Sequence, residues 1–212
     1  SLQETLPGFG ARGQSRLTAS RVLVIGAGGL GSSVIPALAG AGVGEISIVD
    51  DDRVELSNLH RQHIHSMADV GKPKAASAAE SVAALNPEVS VVAEQHRLTS
   101  ENALALFAGF DLVVDGSDNF PTRYLVDDAA RLTGIPVVWG AVSQYGGQAG
   151  ISWAAKGPTY RDLFPVPPAP GTVPSCEAGG VLPTTVAVIG AIMATGAIKV
   201  LTGIGEPLVG RV

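Results

Sequence analysis

Six residues, Gly26-Ala27-Gly28-Gly29-Leu30-Gly31, follow the apolar run Val22–Ile25 and open an alanine-rich stretch. In that setting a G-x-G-x-x-G pattern has a physical meaning. The glycines let the backbone turn tightly and approach a phosphate, and free N–H groups at the start of the next helix favour its charge. Nineteen residues past Gly31, Asp50 ends a second apolar run. A carboxylate there can accept hydrogen bonds from both hydroxyls of a ribose. Gly26, Gly28, Gly29, Gly31 and Asp50 therefore predict an adenine-nucleotide site. On their own they fit NAD, FAD or ATP, and a plain helix-packing turn would use the same glycines.

A second group gathers positive charge. Between Arg53 and Lys74 lie four of the 14 Lys and Arg residues and three of the four His, in a chain of net charge −5. Such a cluster can be no more than a solvated loop. Lys74 argues against that reading, because it falls in the first turn of an expected helix, where a cation opposes the dipole by about 0.3–1 kcal/mol. An anionic ligand would offset the cost. Arg61 offers a planar fork to phosphate oxygens, and Lys74 a point charge able to follow a phosphorus centre as charge builds on it. His60, His63 and His65 match no standard metal spacing and are expected to be solvated or to face phosphate.

The third group is Asp118-Asn119. The run Asp111–Asp115 reads as a strand, and Gly116-Ser117 turns the chain so that Asp118 lies at its carboxyl end, where open α/β sheets bind ligands. Asp118 is the candidate Mg²⁺ ligand, since that ion takes one or two protein carboxylates beside substrate phosphates and water. The same pair, shortly before Pro121, also reads as a helix cap, and Arg123 fits either a nucleotide contact or a structural ion pair.

To bring these groups together the chain must fold as alternating strands and helices. Val- and Ile-rich runs at Arg21–Ile25, Glu45–Asp50, Val89–Gln95, Asp111–Asp115 and Pro136–Val142 alternate with helical spacings at Gly29–Gly40, Lys72–Leu85, Ser100–Phe107, Pro121–Leu132 and Thr184–Thr202. This predicts a doubly wound α/β fold with a mostly parallel sheet and a Rossmann-like nucleotide-binding half. Pro73 suits the first turn of its helix, and Asn86-Pro87 stops that helix. Five prolines between Pro165 and Pro174, just before Cys176, predict an extended crossover loop over residues 156–183.

At 212 residues and 46% hydrophobic content the chain is expected to be one domain, with residues 1–20 as an N-terminal arm. Its 27 glycines and 14 prolines lie between apolar runs and so mark turns, not disorder. The acidic balance disfavours nucleic acid and acidic membranes as partners. The most apolar segment, Val186–Ile198, is shorter than the roughly 18 residues a bilayer span needs and reads as a buried helix. A single cysteine excludes an internal disulfide and a Cys-rich zinc site, and with no visible signal segment the expected location is cytoplasmic.

The combination Gly-Ala-Gly-Gly-Leu-Gly, Val49-Asp50-x-Asp52, Ser57-Asn58-Leu59-x-Arg61-Gln62, Asp69-Val70-Gly71-x-Pro73-Lys74 and Asp118-Asn119-x-x-Thr122-Arg123 resembles the ThiF/MoeB group of adenylyltransferases, which is related to the ubiquitin-activating enzymes. The resemblance runs from about Leu6 to Val212. It implies ATP with Mg²⁺, and activation of the C-terminal Gly-Gly carboxylate of a ubiquitin-like sulfur-carrier protein as an acyl-adenylate, with release of pyrophosphate. Carried over by position, Gly29 lies against the phosphates, Asp50 on the ribose, and Asn58, Arg61 and Lys74 on the triphosphate. Asp118 holds the metal, and Asp52, Ser57, Gln62, Asn119 and Arg123 complete the nucleotide set.

The resemblance further implies a homodimer and a sulfurtransferase (rhodanese) partner or fused domain. Molybdopterin, thiamin and cysteine biosynthesis all remain open as pathways. Cys176 stands where relatives carry a cysteine that in some of them bonds to the carrier, and a structural role is the alternative. No structural zinc is expected, because the two CxxC pairs of many relatives are missing; the rhodanese-fused branch also lacks them and is the nearest in pattern. Leu2-Gln3 stands where the family has an Arg-Gln or Arg-His pair reaching the nucleotide of the partner subunit. His60 replaces a customary Gln, and Asp127 a customary Asn.

Overall fold

The β-branched runs become strands of one sheet whose order decides where the chemistry collects. The computed structural model describes residues 2–169, 172 and 179–212. Its strands are β1 (Arg21–Ile25), β2 (Glu45–Val49), β3 (Ser90–Glu94), β4 (Leu112–Asp115), β5 (Val137–Ser143) and β6 (Gly146–Ser152), in the order β3-β2-β1-β4-β5-β6. The first five run parallel, and β6 returns antiparallel to β5. The helices are α1 (Gly10–Ala19), α2 (Gly29–Ala41), α3 (Lys74–Leu85), α4 (Ala103–Phe107), α5 (Phe120–Thr133), α6 (Tyr160–Leu163) and α7 (Pro183–Thr202). This is the doubly wound, mostly parallel architecture expected.

Successive strand residues point to opposite faces, and β1 shows what that does. Val22 and Val24 pack with Val34, Ile35 and Leu38 of α2 and Met193 of α7, whereas Leu23 and Ile25 join Phe107 of α4 and Tyr124 of α5 on the other face. Both faces are covered, so the central strand carries no solvent-facing alternation. The edge strand β3 is mostly exposed and keeps its place through parallel pairing with β2.

Three elements were not expected. The N-terminal arm contains α1, whose sequence GARGQSRLTA offers only Leu17 as a buried large side chain and so lacks a clear apolar stripe. The second is β6, where Gly146, Gly147 and Gly150 weaken the strand pattern and the first half is exposed. The third is α6, four helical residues within the stretch 156–183 expected as an extended crossover loop, where the proline run begins only at Pro165. Helix α7 was expected at Thr184–Thr202 and starts one residue earlier, extending beyond its apolar centre Val186–Ile198 at both ends. Its 20 residues, with a mean hydropathy of 1.8, are long and apolar enough to cross a bilayer by length and composition alone. In the fold it is a covering helix that buries Val186, Ile189, Met193, Ala194 and Ala197. Gly190 lets it approach α2 closely, since a Cβ there would stand 2.4 Å from the Cβ of Ser33.

Candidate active site

The chain leaves β1 toward β2 on one side, while β4 lies on the other. At that reversal the carboxyl ends of the strands open a crevice, the usual ligand position in such sheets. A cleft of about 1220 Å³ occupies it. Its lining includes Gly26, Gly28, Gly29, Asp50, Asp52, Arg61, Gln62, Lys74, Asp118, Asn119 and Arg123. Gly31, Ser57 and Asn58 lie outside the lining. Cys176 lies outside the described residues.

The glycine turn is built by its backbone. Gly26 adopts φ +94°, a conformation that suits glycine, and its N–H donates to Val49 O at 2.9 Å. A Cβ on Gly31 would stand 2.2 Å from the Gly26 carbonyl oxygen, so α2 leaves directly against the turn. Beside it, Asp50 accepts from Ala27 N–H through Oδ2 and from Asp52 N–H through Oδ1, both at 2.8 Å. Burial pushes its carboxyl above the ordinary range, while the two N–H bonds and the charge of Lys74 pull it back. Each oxygen keeps a further lone pair for a ribose hydroxyl.

The cationic strip divides. Arg53 donates to Gly71 O at 2.7 Å, and Lys72 pairs with Asp69 and Glu80, so both are engaged away from the cleft. Lys74 opens α3 with a buried side chain whose Nζ lies 2.9 Å from Oδ2 of the exposed Asp52. An ammonium has three donors, so a phosphate can join or replace that partner. Arg61 reaches His60 Nε2 at 2.9 Å, and its stem runs past Gly29. Asn58 is buried and spent locally: its side chain accepts from Glu55 N–H, and its carbonyl accepts from Arg61 and Gln62 N–H, which shapes the loop that carries Arg61. Gln62 is buried against the cleft with its Oε1 unpartnered. His60 and His63 are exposed as expected, but His65 is buried behind the glycine turn and faces protein instead of phosphate.

On the far wall, Asp118 projects exposed after β4, and its one side-chain partner among the described residues is Asn119 Nδ2 at 3.5 Å. Asn119 accepts from Thr122 N–H at 3.0 Å and caps α5. Asn119→Ala should therefore lower stability by about 1 kcal/mol, read as a lower denaturant midpoint. Arg123 is buried. It donates to Ser117 O at 3.0 Å, its Nε lies 3.7 Å from Asp115 Oδ2, and its guanidinium stands 5.8 Å from the Tyr160 ring centre. Burial pushes the Asp115 carboxyl up, opposed by Arg123 and by the Ser117 N–H and O–H that it accepts. Arg123 thus holds the turn that presents Asp118 while bordering the cleft.

Several lining residues were not anticipated. His96, Arg97 and Leu98 follow β3, with His96 bonded to Glu94 at 2.7 Å and Arg97 to Asp51 at 3.0 Å. Their position just past the carboxyl end of a parallel strand was the available signal. Tyr160 and Phe164 form the apolar end. Asp127 explains where they sit: its buried carboxylate accepts from the Ser152 hydroxyl and from the N–H groups of Tyr160 and Arg161, joining α5, β6 and α6. At the N-terminus, Leu2 is exposed and Gln3 folds back to donate to Gln14 and to Ala41 O at the end of α2.

Residues 1–212 match the ThiF family. The chain is 53% identical over 210 residues to the probable adenylyltransferase/sulfurtransferase MoeZ of Mycobacterium tuberculosis, covering 97% of this chain and 54% of that one. It is 53% identical over 214 residues to the sulfur carrier protein adenylyltransferase of Thermus thermophilus, covering 99% and 79%. The chain thus spans about half the length of MoeZ. Among solved structures it resembles E. coli MccB in fold, with a TM-score of 0.83 at 24% identity over 93% of this chain and 59% of that one.

Proposed function

Because the chain belongs to the ThiF family, we propose that it uses ATP to adenylate the C-terminal Gly-Gly carboxylate of a ubiquitin-like sulfur-carrier protein. One observation carries the reading. The glycine turn, Asp50, Arg61 and Lys74 line one side of a single cleft, and Asp118 lines the other. The names of the two relatives support the substrate class.

The chemistry suits the residues. A peptide carboxylate is ionised at neutral pH and attacks without a general base. Its oxygen bonds to the α-phosphorus, the bond to the bridging oxygen breaks, and pyrophosphate leaves with the electron pair. Such a reaction asks the protein for alignment and charge neutralisation. Lys74 and Arg61 supply positive charge, the turn supplies N–H groups, and Asp50 orients the ribose. Asp118 fits Mg²⁺, since it offers a hard oxygen donor to the cleft with no cation already paired to it among the described residues. When bound, that ion neutralises phosphate charge. The apolar end at Tyr160 and Phe164 suits a small, uncharged peptide tail.

A second copy pairs with the first in this reading, through the exposed stripe of α7 that includes Val188 and Ile192. Val188→Asp should shift a dimer toward monomer in sedimentation velocity. A sulfurtransferase then delivers sulfur to the activated tail. The primary test incubates the full chain with candidate carriers and MgATP and measures ATP–pyrophosphate exchange together with carrier mass. A carrier heavier by one adenylyl group is expected. Tight NAD binding with no response to MgATP would overturn the proposal.

A further inference from the structure

His65 is the one histidine of its loop that is buried, at 6% exposure, and the nucleotide chemistry gives it no role. Its Nε2 lies 3.0 Å from the Ala27 carbonyl oxygen, in the middle of the glycine turn. A carbonyl only accepts, so Nε2 carries the proton. Nδ1 then presents its lone pair to the Ser77 hydroxyl at 2.8 Å, which donates. Burial holds the imidazole below its ordinary value and the nearby charge of Lys74 acts in the same direction, while the bond to the Ala27 carbonyl, Asp50 and Asp69 act against it. The neutral ring, with its proton on Nε2, satisfies both contacts.

We propose that His65 is a positioning residue that aims the phosphate-binding turn, an inference that rests on the nucleotide reading above. A trans peptide sets its C=O and N–H in opposite directions. With the Ala27 carbonyl held toward His65, behind the turn, the Gly28 N–H of the same peptide points the other way, to the side where Gly28 borders the cleft. The preceding peptide is fixed as well, because Ala27 N–H donates to Asp50. The contacts then close on themselves. Asp50 accepts from Asp52 N–H, Asp52 pairs with Lys74, Lys74 lies one turn before Ser77 in α3, and Ser77 donates to His65. His65 thereby ties the turn to the helix that carries the phosphate cation.

The test compares wild type, His65→Ala and His65→Gln in the full chain by calorimetry with MgATP and with adenosine, which has the ribose but no phosphate. His65→Ala should weaken MgATP binding by about tenfold, since it leaves the Ala27 carbonyl without its buried donor. Adenosine affinity should stay within about twofold, a difference well below 1 kcal/mol. His65→Gln, whose amide N–H can reach the same carbonyl, should recover most of the loss. The expected kinetic signature is a raised KM for ATP with little change in kcat. Equal weakening of both ligands, or of neither, would overturn the assignment. Should His65→Ala fail to fold, Ser77→Ala supplies the comparison and should show a smaller loss confined to MgATP. A wild-type chain that binds no ATP would sink the nucleotide reading itself, whereas wild-type binding with an indifferent His65→Ala sinks this inference alone.

Discussion

Asp118→Ala should reduce ATP–pyrophosphate exchange by about 10²–10³-fold, the size expected when a group that acts on transition-state charge is lost. The unfolding midpoint should hardly move. Asp118 is exposed and, among the described residues, its side chain supports nothing but a 3.5 Å contact from Asn119, so its removal opens no cavity and orphans no buried group there. The cap of α5 is made by Asn119, and the turn is held by Arg123 and Ser117, none of which needs the Asp118 carboxylate. Asp118→Asn, which keeps the shape and removes the charge, should fall with it. Exchange near the wild-type rate in either variant would remove Asp118 from the reaction.

Gly31→Ala should act through the backbone. The added methyl would sit 2.2 Å from the Gly26 carbonyl oxygen and 3.1 Å from its carbon, and this neighbour cannot rotate aside as a side chain can. Gly26 is held by φ +94° and by its bond to Val49 O, so relief requires moving the turn or lifting α2 from β1. A cost of about 1–3 kcal/mol is expected from overpacking, together with loss of nucleotide affinity, measured by chemical denaturation and by calorimetry. Gly29→Ala makes the contrast. Its methyl meets Val186 Cγ1 at 2.9 Å, a side-chain atom, so the fold should tolerate it better. An unchanged midpoint for Gly31→Ala would mean the turn is softer than its contacts indicate.

The five parallel strands are legible in the sequence because each is a short β-branched run buried on both faces or pinned beside one that is. Helix α1 and strand β6 are not. The first depends on Phe9 and Leu17 finding a core built by other segments, and the second on pairing with β5 that compensates for its glycines. At the site, Gly26, Gly28, Gly29, Asp50, Lys74 and Asp118 are legible because their chemistry is tied to the ends of predicted elements. His65 and Asp127 are not, because their value lies in the donors and acceptors brought to them from distant segments. Asn58 shows the same limit in reverse: a polar residue inside a motif is consumed by its own turn. The charge of Lys72 and Arg53 was visible, but their pairing with Asp69, Glu80 and Gly71 was not.

The aromatic wall at the apolar end of the cleft also has a spectroscopic consequence. Trp139, one of two tryptophans, is buried with its ring 5.1 Å from that of Tyr160 and 6.3 Å from that of Phe164, edge to face with both. Those two rings border the cleft. The other tryptophan, Trp153, lies at the end of the same hairpin under the ammonium of Lys156, away from the cleft lining. The intrinsic fluorescence therefore divides into one emitter coupled to the cleft wall and one that is not. Replacing Trp153 with phenylalanine leaves a single native reporter, with no label attached, for what enters that end of the cleft.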